Sequence, residues 1–143
     1  MDTLSNLQPL IITPLRRINN PKGDIFHGIK VSDIGYVSFG EAYFTSIVLG
    51  EVKGWKKHCD MTMNIVVPLG MVRFHIHNLA IRKTSSYDLG VANYCRLTIP
   101  PGYWVAFRGL SEDRNLILNI ASLEHDADEA VNMPLETFPL FTP

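Results

Sequence analysis

Short stretches in which apolar and polar residues alternate run along most of the chain. A period of two places successive side chains on opposite faces of a β-strand. The clearest apolar sets are Met61, Met63, Ile65 and Val67; Val72, Phe74 and Ile76; and Cys95, Leu97 and Ile99. A fourth run alternates Leu116, Leu118 and Ile120 with Ile117, Asn119 and Ala121. Each run predicts a strand with one face in a core.

Turn signals separate these runs at short intervals. They fall at Asn19 to Gly23, Leu49 to Glu51, Pro68 to Gly70, Asp88 to Gly90 and Pro100 to Gly102. Many short strands joined by Gly and Pro turns predict an all-β antiparallel sandwich, barrel or jelly roll. The best helix is short, at most two turns from Asp126 to Asn132, and Pro134 to Pro143 is predicted to pack as an extended tail. We expect residues 1–143 to form one domain.

Composition narrows the function classes. With 143 residues, 46% of them hydrophobic, the chain is long enough to bury a core, and its net charge of −1 provides no general attraction to nucleic acid or an anionic membrane. No apolar stretch is long enough to span a bilayer, and Met1 to Gln8 do not resemble a signal peptide. Two cysteines do not form a disulfide framework, so we expect a cytoplasmic protein.

Three clusters contain residues that are able to do chemistry. In the first, His75 and His77 share a strand face with Arg73. Histidines at this spacing can bind one metal ion, but the adjacent arginine would repel a cation. A polar strand face and an anion-binding patch therefore remain alternatives to a metal site.

The second cluster is Lys53-Gly54-Trp55-Lys56-Lys57-His58. In an extended strand, Lys56 and His58 share a face, and Gly54 allows another chain segment to approach closely. A lysine beside a histidine in a pocket can poise one of them as a base. The alternative is a basic strand end exposed to solvent.

The third cluster follows the Pro100-Pro101-Gly102 turn. Tyr103, Trp104 and Phe107 could line a pocket for a flat ligand such as a nucleobase. Alternatively, Tyr103, Val105 and Phe107 form a core face. The carboxylates crowded between Leu123 and Glu129 are typical of a solvated surface turn.

Four stretches together resemble the dTDP-4-dehydrorhamnose 3,5-epimerase family, cupins that act on nucleotide-linked sugars. The stretches are Asn20 to Phe26, Gly50 to Lys56, Ile99 to Phe107 and Glu124 to Pro134. They resemble the family's Asp-x-Arg-Gly-x-Phe, Gly-Val-Leu-Arg-Gly-Leu-His, Ile-Pro-Glu-Gly-Phe-Ala-His-Gly-Phe and closing Glu-His-Glu to Trp-Asp-Asp-Pro segments. The resemblance implies a cupin-type antiparallel jelly roll (a double-stranded β-helix) with a pocket between its two sheets.

The family's catalytic groups are changed or displaced in this chain. The family uses a histidine held by an aspartate, a lysine that stabilises an enolate and a tyrosine acid. Without gaps, the histidine position falls on Lys56, the lysine position near Met63, the aspartate position on Asn119 and the tyrosine position near Asn115. A neutral Asn119 cannot supply the charge that raises the basicity of a histidine.

The working strand is more similar to the Arg-Gly-x-His-x-His of the dTDP-sugar 3,4-ketoisomerases. It keeps Gly54 and the second histidine, His58, whereas Lys56 replaces the first. The resemblance implies that His58 removes a proton beside a ketone and that Lys56 stabilises the enolate, with no cofactor. The implied substrate contacts are Lys53, Arg73, His75, His77, Tyr103, Trp104 and Asn119.

Two other functions remain open: a binding module for a sugar or nucleotide sugar, and a metal-dependent cupin that uses His58, His75 and His77. The resemblance also implies a role in making cell-surface polysaccharide. It further implies a homodimer, since the family commonly pairs through its sheets and exchanges N-terminal strands. The apolar Leu10-Ile11-Ile12 segment fits such a strand, and an ordinary edge strand explains it equally well.

Overall fold

The computed structural model describes residues 7–143; residues 1–6, which belong to the polar N-terminal stretch, lie outside the described part. About 48% of the chain is in strands and 4% in helix, as the alternating pattern predicted for an all-β protein. In chain order the strands are β1 (Ile11–Pro14), β2 (Arg17–Ile18), β3 (Ile25–Phe26), β4 (Glu41–Ser46), β5 (Val52–His58), β6 (Met63–Leu69), β7 (Met71–Asn78), β8 (Lys83–Gly90), β9 (Cys95–Ile99), β10 (Trp104–Gly109), β11 (Leu116–Ala121) and β12 (Ala130–Asn132).

Ten of these strands form two five-stranded antiparallel sheets. The first sheet has the order β1-β9-β6-β11-β4, and the second has the order β12-β5-β10-β7-β8. The pair β2 and β3 forms a small separate ribbon. β1 is an edge strand that pairs with β9 of the same chain, which matches the edge-strand interpretation of the N-terminal segment.

The inward faces of the two sheets pack against each other to form the main core. Ile65 and Leu97 come from the first sheet, and Phe74, Ile76 and Val105 come from the second; all are buried in one cluster. These are positions that the period of two placed on apolar faces. In β11, by contrast, the inward face is the less apolar one, and it carries Asn119.

The connection between β6 and β7 crosses from one sheet to the other at Gly70. This residue has φ of +79°, and a Cβ there would lie 2.1 Å from the carbonyl oxygen of Arg114. Only glycine combines this backbone conformation with so close a neighbour. The predicted turn at Pro68 to Gly70 is therefore confirmed as the link between the layers.

The segment predicted as a short helix, Asp126 to Asn132, has a different structure. It contains one 3-10 turn, Ala127–Glu129, followed directly by strand β12. The side chain of Asp126 accepts a hydrogen bond from the amide of Asp128, which closes the turn locally. Pairing with β5 then holds the next residues extended, so the helix prediction is confirmed for one 3-10 turn and is wrong for Ala130–Asn132.

The C-terminal segment packs across the outer face of the second sheet, as predicted for an extended tail. Leu135, Phe138 and Leu140 contact a buried cluster that contains Trp55 and Trp104. The indole Nε1 of Trp55 donates to the carbonyl oxygen of Leu135 at 2.9 Å. The tail thereby covers the aromatic side chains that the second sheet directs away from the main core. No helix among residues 7–143 has the length and apolarity that crossing a membrane requires.

Candidate active site

A cavity of about 310 Å³ lies between the two sheets. Its walls come from strands β4, β5, β6, β7, β10, β11 and β12. The polar side chains that line it belong to Tyr43, Thr45, Lys53, Lys56, His58, Asn119 and Asn132. Apolar side chains that include Met63, Ile65 and Phe74 form the rest of the wall. An apolar pocket with a few converging polar groups is typical of a small-molecule site.

Strand β5 brings the predicted lysine and histidine to this cavity. Lys56 and His58 lie two residues apart on the strand and both line the cavity, as the alternation predicted. Lys53 lies nearer the start of the strand, where its Nζ donates to the carbonyl oxygen of Ser46 at 2.9 Å. The inward direction of this face could not be known from the sequence, because a slip of one residue reverses it.

The close approach predicted at Gly54 is present on strand β10. Gly54 has φ of +150°, and a Cβ built on it would lie 2.4 Å from the Cβ of Ala106. The register between β5 and β10 shifts nearby, between Val105 and Phe107. A glycine is therefore required to bring β5 against β10 at the point where the cavity begins.

His58 is paired with a carboxylate that the sequence did not identify. The residue is 7% exposed, and its Nδ1 lies 2.5 Å from Oε1 of Glu129. The other carboxylate oxygen of Glu129 accepts hydrogen bonds of 2.9 Å from the amides of Asp60 and Met61. No hydrogen bond within the described residues uses Nε2 of His58, so this nitrogen is left for the cavity.

The environment of Glu129 favours its ionised form. Burial acts to raise its pKa, but the hydrogen bonds from His58 and from the amides of Asp60 and Met61 outweigh burial and bring the pKa below its ordinary value. In the neutral form of His58, an ionised Glu129 accepts the hydrogen bond from Nδ1–H, so the lone pair of the imidazole is on Nε2. Nε2 is then able to act as a base toward a ligand in the cavity.

Glu129 corrects two expectations. The carboxylates between Leu123 and Glu129 were predicted to form a solvated turn, but Glu129 is only 6% exposed. The resemblance also placed the histidine's charged partner at Asn119, which carries no charge. The one available sequence signal is that Glu129 ends the acidic stretch immediately before an alternating Ala130-Val131-Asn132 segment. That segment becomes β12, whose Ala130 lies opposite His58.

Asn119 lines the wall of the cavity provided by the first sheet. Its Nδ2 donates to the hydroxyl oxygen of Tyr43 at 3.0 Å, and this bond fixes the amide. The amide oxygen is buried and has no partner within residues 7–143. A buried acceptor without a donor costs free energy unless a ligand or water satisfies it. Tyr43 was not identified from the sequence, because it lies outside the four runs with clear alternation.

The structure does not bring Arg73, His75 and His77 to the cavity. They lie on the outer face of β7, because the alternate residues Phe74 and Ile76 point into the space between the sheets. His77 stacks on Phe138 of the C-terminal tail with a 4.1 Å separation of ring centroids. Burial lowers the pKa of the His75 and His77 imidazoles. These three residues therefore do not line the cavity, and their role as substrate contacts stays a prediction.

Tyr103 and Trp104 also lie away from the cavity wall. Tyr103 is part of the main core, and its hydroxyl donates to the carbonyl oxygen of Gln8. Trp104 is 3% exposed in the outer aromatic cluster under the tail, with the ammonium of Lys57 5.2 Å from its ring centroid. Tyr103 and Val105 lie in the core, as the core-face alternative predicted, whereas Trp104, which that alternative left outside the face, fills the outer cluster.

A metal site built from the three histidines does not match the geometry. His58 enters the cavity, whereas His75 and His77 point from the opposite face of the second sheet. Among residues 7–143, no three His, Cys, Asp or Glu side chains converge in a way that could hold an ion.

Comparisons with known proteins agree on the fold. No protein-family model and no curated protein matches the sequence. Among solved structures, a dTDP sugar isomerase from Desulfovibrio desulfuricans G20 is 26% identical, with a TM-score of 0.86 over 92% of this chain and 87% of that one.

Two further structures extend the agreement. The sugar 3,4-ketoisomerase QdtA from Thermoanaerobacterium thermosaccharolyticum, in complex with TDP, is 16% identical, with a TM-score of 0.73 over 85% of this chain and 86% of that one. The epimerase RmlC from Legionella pneumophila Philadelphia 1, in complex with dTDP-4-keto-L-rhamnose, is 14% identical, with a TM-score of 0.77 over 89% and 73%. The chain therefore has the cupin-type jelly roll of the dTDP-sugar epimerases and isomerases, as its sequence motifs predicted.

Proposed function

We propose that this cavity isomerises or epimerises a keto sugar linked to dTDP, by removing a proton from the carbon next to the ketone. The observation that carries the proposal is the pair formed by His58 and Glu129 at the cavity wall. An imidazole whose Nδ1 proton is held by a buried carboxylate is a general base at Nε2. The carbon acid next to a ketone is a substrate for such a base.

The residues around His58 supply the other parts of the reaction. When Nε2 of His58 takes the proton, the electron pair moves onto the ketone oxygen and forms an enolate. The ammonium of Lys56, on the same strand face, stabilises that negative charge. Tyr43 lies on the wall of the first sheet and is placed to return a proton. Return to the same carbon from the other side gives an epimer. A ketoisomer forms when the enolate oxygen gains a proton, the hydroxyl on the adjacent carbon loses its proton to become the new ketone, and the former ketone carbon is protonated.

The charge of the cavity supports a substrate whose sugar is attached to a nucleoside diphosphate. Lys53 and Lys56 contribute positive charge, and none of the described residues that line the cavity is an Asp or Glu. A diphosphate is favoured in such a site. The free amide oxygen of Asn119 favours a sugar hydroxyl as its donor. The dTDP sugars of the structural neighbours support this choice, and the resemblance supports a product used in cell-surface polysaccharide.

Solvent deuterium exchange tests the proposal directly. We expect the protein, incubated in D₂O with dTDP-4-keto-6-deoxyglucose, to place deuterium on a sugar carbon next to the ketone or on the former ketone carbon, as read by NMR. Replacing the base in His58→Asn should lower the exchange rate by about 10²–10⁴-fold. His125→Asn is the matched control, since His125 is exposed. Wild-type exchange in His58→Asn would show that another group is the base.

A second candidate function is binding of a nucleotide sugar without turnover. It is favoured by Met63, an apolar residue at the cavity position where the resemblance places the enolate-stabilising lysine. The same experiment separates the two functions. A pure binder gains thermal stability with dTDP sugars but incorporates no deuterium.

The homodimer implied by the resemblance also stays a proposal. Phe44 is 63% exposed, and it lies next to Leu118 on the outer face of the first sheet. The loop that precedes β4 covers the other half of this face through bonds from Arg96 to the carbonyl oxygens of Gly28 and Ile34. The uncovered apolar half is a suitable surface for a second copy of the chain.

A further inference from the structure

A second depression lies on the outer face of the second sheet, on the opposite side from the cavity. It has a volume of about 590 Å³, and its walls include Arg73, His75, Asp88, Arg108, Leu140 and Phe141. We call it the outer groove. The alternate side chains of the same strands, such as Phe74 and Phe107, point to the cavity instead. A ligand in the outer groove is therefore separated from the cavity by the thickness of the sheet.

The outer groove has a net positive charge, because two arginines, Arg73 and Arg108, line it together with one aspartate, Asp88. Arg108 lies directly opposite Arg73 in the register of β10 and β7. Arg73 is neutralised by Asp88, through two hydrogen bonds of 2.8 and 3.0 Å. Arg108 forms no ion pair within residues 7–143, and its Nε is buried without a partner. Like charges on opposed strands destabilise a sheet, so an anion beside Arg108 would relieve this arrangement.

His75 adds a buried acceptor to the wall of the groove. It is 4% exposed, and its Nδ1 donates to the carbonyl oxygen of Leu140 at 2.7 Å. This bond fixes the tautomer, so Nε2 carries a lone pair. Nε2 is buried and has no partner in the described chain. Two arginines offer donors, and Nε2 of His75 offers an acceptor.

This combination matches one kind of anion. Phosphate near neutral pH carries acceptor oxygens and also a P–OH proton, whereas sulfate carries acceptors alone. The guanidinium groups satisfy the oxygens through charge-assisted bonds. The P–OH of a hydrogen phosphate then donates to Nε2. A sulfate ion has no proton to donate, so one of its oxygens would place a lone pair against the lone pair of Nε2.

We propose that the outer groove is a phosphate-binding site in which Arg108 and Arg73 donate hydrogen bonds to the oxygens and Nε2 of His75 accepts a hydrogen bond from the P–OH group. The ligand is inorganic phosphate or the monoanion of a phosphate monoester; the second pKa of an ester is about 6, so only the monoanion keeps the P–OH proton that the groove recognises. Phe141, 64% exposed at the side of the groove, is available to the organic part of an ester. The site does not depend on the function proposed for the cavity.

Calorimetric titration of the full chain with inorganic phosphate, near neutral pH and at constant ionic strength, tests the site. We expect saturable binding that Arg108→Gln weakens about tenfold or more, because a charge-assisted bond is lost. Arg108→Lys keeps the charge and should bind with intermediate affinity, which covers the case in which the glutamine variant folds poorly. Lys22→Gln, an exposed lysine in a distant turn, should bind as the wild type does.

Selectivity tests the role of His75. Sulfate should bind about tenfold more weakly than phosphate, and His75→Asn should remove this preference, since an asparagine amide can keep the bond to Leu140 but has no counterpart of Nε2. Thymidine monophosphate serves as the ester and is titrated near pH 6, where part of it keeps the P–OH proton; tighter binding than that of phosphate at the same pH identifies an ester as the ligand. The proposal would be overturned if the wild type bound sulfate as tightly as phosphate or showed no saturable phosphate binding. It would also be overturned if the cavity variant Lys53→Gln lost phosphate binding and Arg108→Gln kept it.

Discussion

Replacing Glu129 with glutamine should reverse the tautomer of His58. Wild-type Glu129 accepts hydrogen bonds from Nδ1 of His58 and from the amides of Asp60 and Met61. A glutamine can keep its single oxygen on the two amides only by turning its NH₂ group toward His58. Nδ1 then has to accept, and the imidazole proton moves to Nε2. The nitrogen that faces the cavity is no longer a base.

The cost to folding should be modest and the cost to activity large. Three hydrogen bonds lose their charge but remain satisfied, and a bond to a charged group contributes about 1 kcal/mol more than a neutral one, so we expect Glu129→Gln to lower the free energy of unfolding by about 2–3 kcal/mol. Loss of the general base should lower the deuterium exchange rate by about 10²–10⁴-fold. Glu124→Gln, an exposed glutamate in the same turn, should change neither quantity.

The stability difference should depend on pH in a definite direction. The pKa of Glu129 is lower in the folded protein than its ordinary value of 4.5. The unfolded chain therefore binds more protons, and the contribution of Glu129 is complete above pH 4.5 and is lost as pH falls through the lowered pKa. Urea unfolding of the wild type and Glu129→Gln should show the largest gap near neutral pH and a smaller gap in acid.

Nitrogen NMR of His58 gives the decisive measurement, because it needs no substrate. The chemical shifts of Nδ1 and Nε2 report which nitrogen carries the proton. We expect the proton on Nδ1 in the wild type and in Glu124→Gln, and on Nε2 in Glu129→Gln. If His58 has the same tautomer in all three proteins, Glu129 does not prepare the base, and the mechanism proposed for the cavity is incorrect.

Two further substitutions test the packing and the assembly. Gly54→Ala should lower the free energy of unfolding by on the order of 3 kcal/mol, because the new Cβ meets Ala106 in a backbone conformation that alanine rarely adopts. Urea unfolding measures this loss. The control Gly28→Ala should show little effect, because its new Cβ meets no neighbour within 4 Å. Light scattering should show twice the mass of one chain for the wild type and one chain for Phe44→Glu, whereas Ile81→Glu, 61% exposed in another loop, should remain a dimer. A single-chain mass for the wild type would reject the dimer, and unchanged stability of Gly54→Ala would reject the close contact.

The period of two predicted the strand faces well, because burial on one side of a strand is a local signal. Phe74 and Ile76 point into the core as expected. The same pattern could not tell which side of β7 holds the cavity, and Arg73 and His75 therefore turned out to face the tail. In β11, the predicted alternation is present, but Asn119 faces inward because a ligand cavity accepts a polar residue that a closed core would reject.

Long-range pairing decided what local sequence could not. Glu129 lies in an acidic stretch that on its own is typical of solvent exposure. It becomes buried because β12 pairs with β5 and places Ala130 opposite His58. The partner of His58 is therefore determined by a contact between residues 71 positions apart, and no local sequence pattern predicts that contact.

The tail on the second sheet determines what an optical probe will report. The chain has two tryptophans, Trp55 and Trp104, and both indole rings pack in the cluster beneath Leu135 and Phe138. Their emission is therefore a gauge of whether the last ten residues are docked. A purification tag or truncation at this end would alter the fluorescence of the protein even if the cavity on the other side of the sheet were unchanged.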